Sequence, residues 1–175
     1  MGAGITFKNL TIGYRSKHQL RAVASSIHAS LQEDKLTCLI GANGVGKSTL
    51  LRTLAGFQPP LDGEILIQDK PLSDYSAREL AQEIGVVLTN RMDTPQLSVQ
   101  EIIGIGRSPY TGFWGTLSSA DQKIVDEAIR QTGIQHLASR SITELSDGER
   151  QKVMIAKALA QQTSLIILDE PTAFL

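Results

Sequence analysis

Hydrophobic residues along this chain follow the periods of both strands and helices. Segments rich in β-branched and aromatic residues predict strands at 5–14, 23–31 and 64–68. Continuous apolar runs predict buried strands at 36–40, 84–88 and 165–169. Helical patterns and capping signals predict helices at 47–55, 121–132 and 148–161, and one beginning at Ser76. Because strands alternate with helices, the pattern favours an α/β fold with a parallel sheet.

The pattern breaks between residues 91 and 116. This stretch holds four glycines, two prolines, Phe113 and Trp114, and it predicts irregular structure. Together with the helical pattern that follows, it indicates an insert in the sheet from about residue 92 to 145.

Composition narrows the class of protein. The 175 residues suffice for one domain, with or without an insert, and 41% apolar and 20% charged residues are typical of globular proteins. The net charge of −1 argues against a nucleic-acid partner. The single cysteine, Cys38, lies in an apolar run and is predicted to be buried. We expect neither a secretory signal at the N-terminus nor a membrane-spanning segment.

The strongest chemical signal directly follows the apolar run at 36–40. Residues 41–49, GANGVGKST, fit the phosphate-binding loop G-x-x-x-x-G-K-[ST]. Glycines at 44 and 46 let backbone N–H groups surround a phosphate, and the helix that follows directs its positive dipole end towards it. Lys47 would reach the β- and γ-phosphates, and Ser48 would bind Mg²⁺. The predicted nucleotide-binding residues here are Gly41, Asn43, Gly44, Val45, Gly46, Lys47, Ser48 and Thr49.

A second signal ends the apolar run at 165–169. Asp169 and Glu170 follow it directly and fit a Walker B site. Asp169 would hold Mg²⁺ directly or through water, and Glu170 would act as general base on the attacking water. Catalysis is therefore assigned to Glu170 and Lys47.

A third motif precedes the last predicted helix. It comprises Leu145, Ser146, Asp147, Gly148 and Glu149. Ser146 and Glu149 also fit a capping box, and the two interpretations are compatible because an anion site needs a well-formed helix N-terminus.

This third motif resembles the LSGGQ signature of ABC-type ATPases, with Asp147 and Glu149 as departures at its third and fifth positions. The resemblance implies a P-loop NTPase (RecA-like) core with a parallel sheet, an antiparallel β subdomain and an inserted helical subdomain. It divides the chain into 1–90 (β subdomain and P-loop core), 91–145 (helical insert) and 146–175 (signature helix and Walker B strand). It also implies that ATP and Mg²⁺ are bound, and that the signature contacts the γ-phosphate held by a second copy.

The same resemblance assigns further residues. Tyr14 matches the aromatic residue that stacks on adenine, although it could be an ordinary strand tyrosine. The stretch from 85 to 115, with SVQE at 98–101 and GRSPY at 106–110, resembles ATPases of iron-siderophore, haem and cobalamin importers. This implies ATP-driven uptake, integral membrane permease subunits as partners, and a peripheral location at the cytoplasmic face of the membrane. Phe113 and Trp114 would either fill a local core or contact the membrane subunit.

Two departures from the family pattern stand out. Asn90 takes the place of the glutamine that contacts Mg²⁺ and couples to the membrane domain. The family also continues beyond Walker B to a switch histidine, whereas His18, His28 and His136 all precede it, so we expect part of the sheet to be missing.

Three other functions compete with ATP-driven transport. A non-transport ABC ATPase would carry two cassettes or long coiled-coil insertions, and no heptad run occurs here. A nucleotide-binding fragment without turnover remains open. A small P-loop kinase is disfavoured by LSDGE and by the adjacent Asp169 and Glu170.

Overall fold

The computed structural model describes residues 3–16, 19–87 and 97–169. Contacts within the chain divide it into two compact units, Met1–Ser76 and Ala77–Leu175. Within the described ranges, no helix is both long and apolar enough to cross a bilayer.

The first unit is an antiparallel sheet with one helix. Its strands are β1 (Ala3–Arg15), β2 (Leu20–Gln32), β3 (Asp62–Ile67) and β4 (Lys70–Pro71), and its helix is α1 (Lys47–Leu54). The strand order is β2-β1-β3-β4, and a short 3₁₀ turn, Leu72–Asp74, follows β4. The strands predicted at 5–14, 23–31 and 64–68, and the helix predicted at 47–55, are therefore confirmed.

One face of β1 supplies four of the buried apolar residues of this unit. Ile5, Phe7, Leu10 and Ile12 are all buried. Their spacing skips one residue after Phe7, where the pairing with β2 shifts and Asn9 adopts a φ of 46°. This bulge restores the inward direction, so that four apolar side chains remain on one face.

The apolar run at 36–40 is the clearest failure of the sequence analysis. None of the described strands pairs with it, and Leu36 and Ile40 are 92% and 91% exposed. Cys38 is exposed too, so the predictions of a buried strand and a buried cysteine are both wrong. An apolar run forms a buried strand only where neighbours cover both of its faces, and the antiparallel sheet of the first unit leaves this segment uncovered.

The second unit combines a parallel strand pair with helices. Its elements are α2 (Ala77–Glu83), β5 (Ile84–Val87), α3 (Val99–Ile105), α4 (Ser119–Gln131), α5 (Asp147–Gln161) and β6 (Leu165–Leu168). Two 3₁₀ turns, Gln135–Leu137 and Ile142–Glu144, connect α4 to α5. The strands β5 and β6 pair in parallel, with Ile84 opposite Leu165 and Val87 opposite Leu168. The predicted strands at 84–88 and 165–169 and the predicted helices at 121–132 and 148–161 are confirmed within two residues at each end.

Helices α3, α4 and α5 share a core to which the connecting turns contribute. Its fully buried members include Val99, Ile102, Val125, Leu137 and Val153. Helix α3 was missed because Gly104 and Gly106 suggested a loop. Ser98 and Glu101 nevertheless form a capping box at its start, which is a helix signal that SVQE carries in the sequence.

Phe113 and Trp114 do not belong to any core. They are 95% and 87% exposed, and their rings pack edge to face with centroids 5.4 Å apart. The interpretation that they fill a local core is therefore wrong. His28 and His136 are exposed, as expected, whereas His18 lies outside the described residues.

Candidate functional site

The glycine loop before α1 has the backbone conformation that its sequence requires. Gly44 and Gly46 have φ angles of 78° and 110°, a region that side chains disfavour. A Cβ on Gly46 would lie 2.5 Å from Cγ1 of Val23, whereas a Cβ on Gly44 would meet nothing within 4 Å. Glycine is thus required at 46 by both conformation and space, and at 44 by conformation alone.

Lys47 folds back over the beginning of the loop. Its Nζ donates hydrogen bonds to the carbonyl oxygens of Gly41 and Ala42, at 2.9 and 3.0 Å. Gly41, Asn43 and Val45 are exposed, so the loop is accessible to solvent. The ammonium group is therefore held at the mouth of the loop, where it could exchange these carbonyls for phosphate oxygens.

The N-terminus of α1 is open. Gly46 is the N-cap, no hydrogen bond from a described side chain caps it, and the first turn contains no acidic residue. The first N–H groups of a helix have no partner within the helix, and its N-terminus carries a partial positive charge. Together with the adjacent ammonium, this end of α1 fits a phosphate group.

Tyr14 lies beside the same helix. Its hydroxyl is 2.9 Å from Oγ1 of Thr49, in the first turn of α1, and the residue is 50% exposed. Thr49 itself is buried, and its carbonyl accepts a hydrogen bond from Oγ1 of Thr53. The structure thus brings Tyr14 together with the loop, although the two are separated by more than thirty residues.

Asp169 directly follows β6 in the second unit. Its backbone N–H donates to the carbonyl of Val87 at 3.0 Å, which extends the pairing of β5 and β6 by one step. The aspartate is therefore fixed at the carboxyl end of a parallel strand pair, where ligands of α/β proteins commonly bind. Glu170 and Asn90 both lie outside the described residues.

The LSDGE motif forms the start of α5. Leu145 is buried in the helical core, and Ser146 is the N-cap of a complete capping box. The backbone N–H and the hydroxyl of Ser146 donate to Oε2 of Glu149 at 2.8 and 2.7 Å, and the Glu149 N–H donates back to the hydroxyl at 3.3 Å. The hydrogen bonds from Ser146 hold the pKa of the Glu149 carboxyl below its ordinary value. Asp147 pairs with Nη1 of Arg150 at 2.9 Å. The capping interpretation is therefore confirmed, whereas contact with a γ-phosphate stays a prediction.

The sequence of the chain matches that of a known family over most of its length. The profile of the ABC transporter family covers residues 24–173. The chain belongs to this ABC transporter family. It is 40% identical over 168 residues to an ABC transporter ATP-binding protein of Methanocaldococcus jannaschii, covering 96% of the chain and 57% of that relative. It is 37% identical to the ferric enterobactin transport ATP-binding protein of Escherichia coli, covering 96% of the chain and 60% of that protein.

The ABC fold is supported by solved structures. A dimeric ATP-binding cassette bound to ADP and phosphate matches with a TM-score of 0.81 and 26% identity, over 98% of this chain and 75% of the other. The predicted P-loop NTPase fold is therefore confirmed. The chain spans about 60% of the length of the curated relatives named above.

The residues of this ABC chain fit the cofactors that the family implies. The open glycine loop, the uncapped α1 and the Lys47 ammonium suit a triphosphate. The hydroxyl of Ser48 and the carboxylate of Asp169 are oxygen donors, which Mg²⁺ prefers. When bound with the nucleotide, Mg²⁺ would neutralise charge on the β- and γ-phosphates.

The sequence analysis missed Arg107. This arginine is 5% exposed, although arginine is rarely buried. Its only signal in the sequence is its position inside GRSPY, a segment that carries the resemblance to importer ATPases but predicts no structural role for the arginine.

Proposed function

We propose that this chain is the ATP-binding and ATP-hydrolysing part of a transporter that takes up an iron chelate, haem or cobalamin. The single observation that carries the proposal is the open N-terminus of α1, with a glycine loop before it and the Lys47 ammonium over it. Glycine at the N-cap and lysine at the first position of α1 stabilise a helix poorly, but both favour the binding of a phosphate group.

The substrate class rests on resemblance. One relative is named for ferric enterobactin transport, and SVQE and GRSPY resemble the ATPases of the same importer class. Within this class, the cargo would be bound by the membrane subunits and not by this chain.

The proposed mechanism gives each site residue one task. Tyr14 stacks on adenine, and the loop from Gly41 to Thr49 surrounds the phosphates. Ser48 and Asp169 would hold Mg²⁺, with Asn90 as a further candidate, and Glu170 would activate the attacking water. The signature residues, Leu145 to Glu149, complete the site on a second copy of the chain.

The partners follow from this mechanism. Two copies would enclose two ATP molecules and drive integral permease subunits, so the ATPase would sit peripherally at the cytoplasmic face of the membrane. Phe113 and Trp114 would contact the permease subunit, because an exposed aromatic pair is costly unless a partner covers it. No charged residue occurs from Ser108 to Ala120, so the partner surface is expected to be uncharged.

The proposal is tested by titrating MgATP into the chain in a calorimeter. Lys47→Ala removes the ammonium and should weaken binding about 10- to 100-fold, since hydrogen bonds to charged groups contribute about 1.5–3 kcal/mol. Lys123→Ala, which removes an exposed lysine on α4, is the matched control and should bind as tightly as the wild type. A wild-type chain that melts cooperatively but binds no MgATP would contradict the proposed site, as would equal affinities in the two variants.

A further inference from the structure

The turn that follows α3 is anchored by a buried guanidinium. Nε of Arg107 forms an ion pair with Oδ1 of Asp121 at 2.9 Å, at the start of α4. Its Nη1 donates to the carbonyl of Ala160 at 2.9 Å and to Oε1 of Gln162 at 3.1 Å, at the end of α5. Its Cζ lies 4.1 Å from the ring centroid of Tyr110. One side chain thus joins the turn to two helices and stacks on the turn's own aromatic residue.

Neighbouring contacts hold the same turn from the other side. The carbonyl of Pro109 accepts hydrogen bonds from Nε of Arg78 and Nε2 of Gln82 on α2, at 2.9 and 3.1 Å. At Gly106, a Cβ would lie 2.4 Å from the carbonyl oxygen of Lys157, so the backbones of the turn and of α5 touch. The base of the loop is therefore fixed to α2, α4 and α5.

The tip of the loop contrasts with its base. Phe113 and Trp114 protrude from it, and each is at least 87% exposed. A rigid base under an uncovered aromatic pair presents that pair in one orientation, which lowers the entropy lost when a partner binds.

Arg107 is better suited to fixing an orientation than to adding stability. A buried ion pair often stabilises a fold no more than apolar residues of the same volume would. The guanidinium fixes the orientation of the turn, because its planar donors must bond Asp121, Ala160 and Gln162 simultaneously. The guanidinium bonds the C-terminal end of α5, and Ser146 and Glu149 lie at the N-terminal end of the same helix. The two ends of this fifteen-residue helix are about 22 Å apart.

We propose that Arg107 is a positioning residue that fixes the Phe113–Trp114 loop to the C-terminal end of α5, so that a membrane subunit bound at the loop acts on α5. The coupling part rests on the proposed function, whereas the positioning part does not. A shift of the loop would move the end of α5 as one body, and with it the LSDGE residues in its first turn.

Positioning is tested by the fluorescence anisotropy decay of Trp114, the single tryptophan of the chain. Arg107→Met keeps the volume and removes the donors, and the amplitude of fast nanosecond motion should rise about twofold or more. In Arg107→Lys this amplitude should rise less, because the lysine ammonium can still donate to one of the three acceptors. Arg140→Met removes an exposed ion pair with Glu144 and is the matched control, expected to leave the decay unchanged.

A milder variant covers the case in which Arg107→Met does not fold. Gln162→Asn shortens one acceptor and tolerates the φ of 54° at this position. It should also raise the fast amplitude, by less than Arg107→Met. Cooperative melting with an unchanged Trp114 decay, in Gln162→Asn and in whichever Arg107 variants fold, would overturn the positioning role.

Coupling is tested with the ATPase assembled with its membrane subunit in lipid vesicles. The ratio of ATP hydrolysis with and without the membrane subunit should fall about three- to tenfold in Arg107→Met, while MgATP affinity is unchanged. Adding Trp114→Ala to Arg107→Met should lower this ratio little more than either substitution alone, because both residues act on the same contact between the loop and the membrane subunit. Additive losses, or an unchanged ratio, would overturn the coupling. A wild type that the membrane subunit does not stimulate would overturn the proposed function and the coupling together, while the Trp114 decay would still decide the positioning role.

Discussion

Two helices of this ABC chain begin at motifs for which phosphate contacts are predicted, but only one of the two helix N-termini is capped by the chain itself. Helix α1 starts at Gly46, with neither a side-chain cap in the described structure nor an acidic first turn. Helix α5 starts at Ser146, whose hydroxyl and N–H both bond the Glu149 carboxylate. The free N–H groups and positive end that an anion needs are thus left to a ligand at α1 and used by the chain itself at α5.

The N-terminus of a helix can therefore serve either to bind a ligand or to stabilise the helix. An uncapped helix end costs stability, and a ligand can recover it, whereas a capped end is stable alone. At α5, a phosphate approaching Ser146 would meet the carboxylates of Asp147 and Glu149, where LSGGQ has glycine and glutamine. Any phosphate contact there must accommodate this negative charge.

The largest effect is expected from adding a methyl group at Gly46. Gly46→Ala would force a Cβ to 2.5 Å from Val23 at a φ of 110°, which should cost about 1–3 kcal/mol and weaken MgATP binding. Gly44→Ala is the matched control, since it strains a φ of 78° but meets open space, and it should cost about 1 kcal/mol. Urea unfolding and MgATP titration measure both effects. Equal losses in the two variants would show that close packing at Gly46 does not shape the loop.

A smaller effect is expected at the capped helix. Ser146→Ala removes the hydroxyl that accepts from the Glu149 N–H and donates to the Glu149 carboxylate, and it should destabilise the chain by about 1 kcal/mol in urea unfolding. Ser139→Ala, at an exposed serine between the 3₁₀ turns, should change stability by less than about 0.5 kcal/mol.

The same variant carries a pH signature. The pKa of Glu149 is lowered in the folded chain, so its contribution is complete above the unfolded pKa near 4.5 and is lost as pH falls through the folded value. Hydrogen bonds from Ser118 and Arg107 lower the pKa of Asp121 further, to about 2, so the cap of α4 should persist to stronger acid than that of α5. The destabilisation by Ser146→Ala should therefore shrink between pH 7 and pH 3. An effect equally large at both values would mean that the Glu149 carboxylate contributes nothing.

Local rules were enough to predict the parts of the molecule that depend on neighbours in sequence. The glycine loop and the α1 start follow from residues 41–49, and the Ser146–Glu149 box from residues three positions apart. The apolar run at 36–40 failed because burial depends on which distant elements cover it, and periodicity does not contain that information.

The site shows the same division. The Lys47 contacts lie within its own loop and could be anticipated. The hydrogen bond between Tyr14 and Thr49 joins residues 35 positions apart, and the family resemblance assigned Tyr14 only to adenine. The Arg107 cluster spans 55 positions from the arginine to Gln162, so no local pattern could indicate it. The exposure of Phe113 and Trp114 likewise depends on what packs nearby, and composition alone pointed towards a core.

The smallest expected effect concerns the aromatic residue beside the open helix. Tyr14→Phe removes only the hydroxyl bond to Thr49, and because the group is half-exposed, water can replace it, so the cost should be about 0.5 kcal/mol. MgATP affinity should stay within about twofold if the ring, by stacking, is what serves the nucleotide, while Tyr14→Ala should weaken it about tenfold, since stacking on a base contributes about 1–3 kcal/mol. Titrating ATP and pyrophosphate into both variants separates the causes, because pyrophosphate has no base to stack. If Tyr14→Ala weakened both ligands equally, Tyr14 would support the open end of α1 structurally, and its proposed contact with adenine would be wrong.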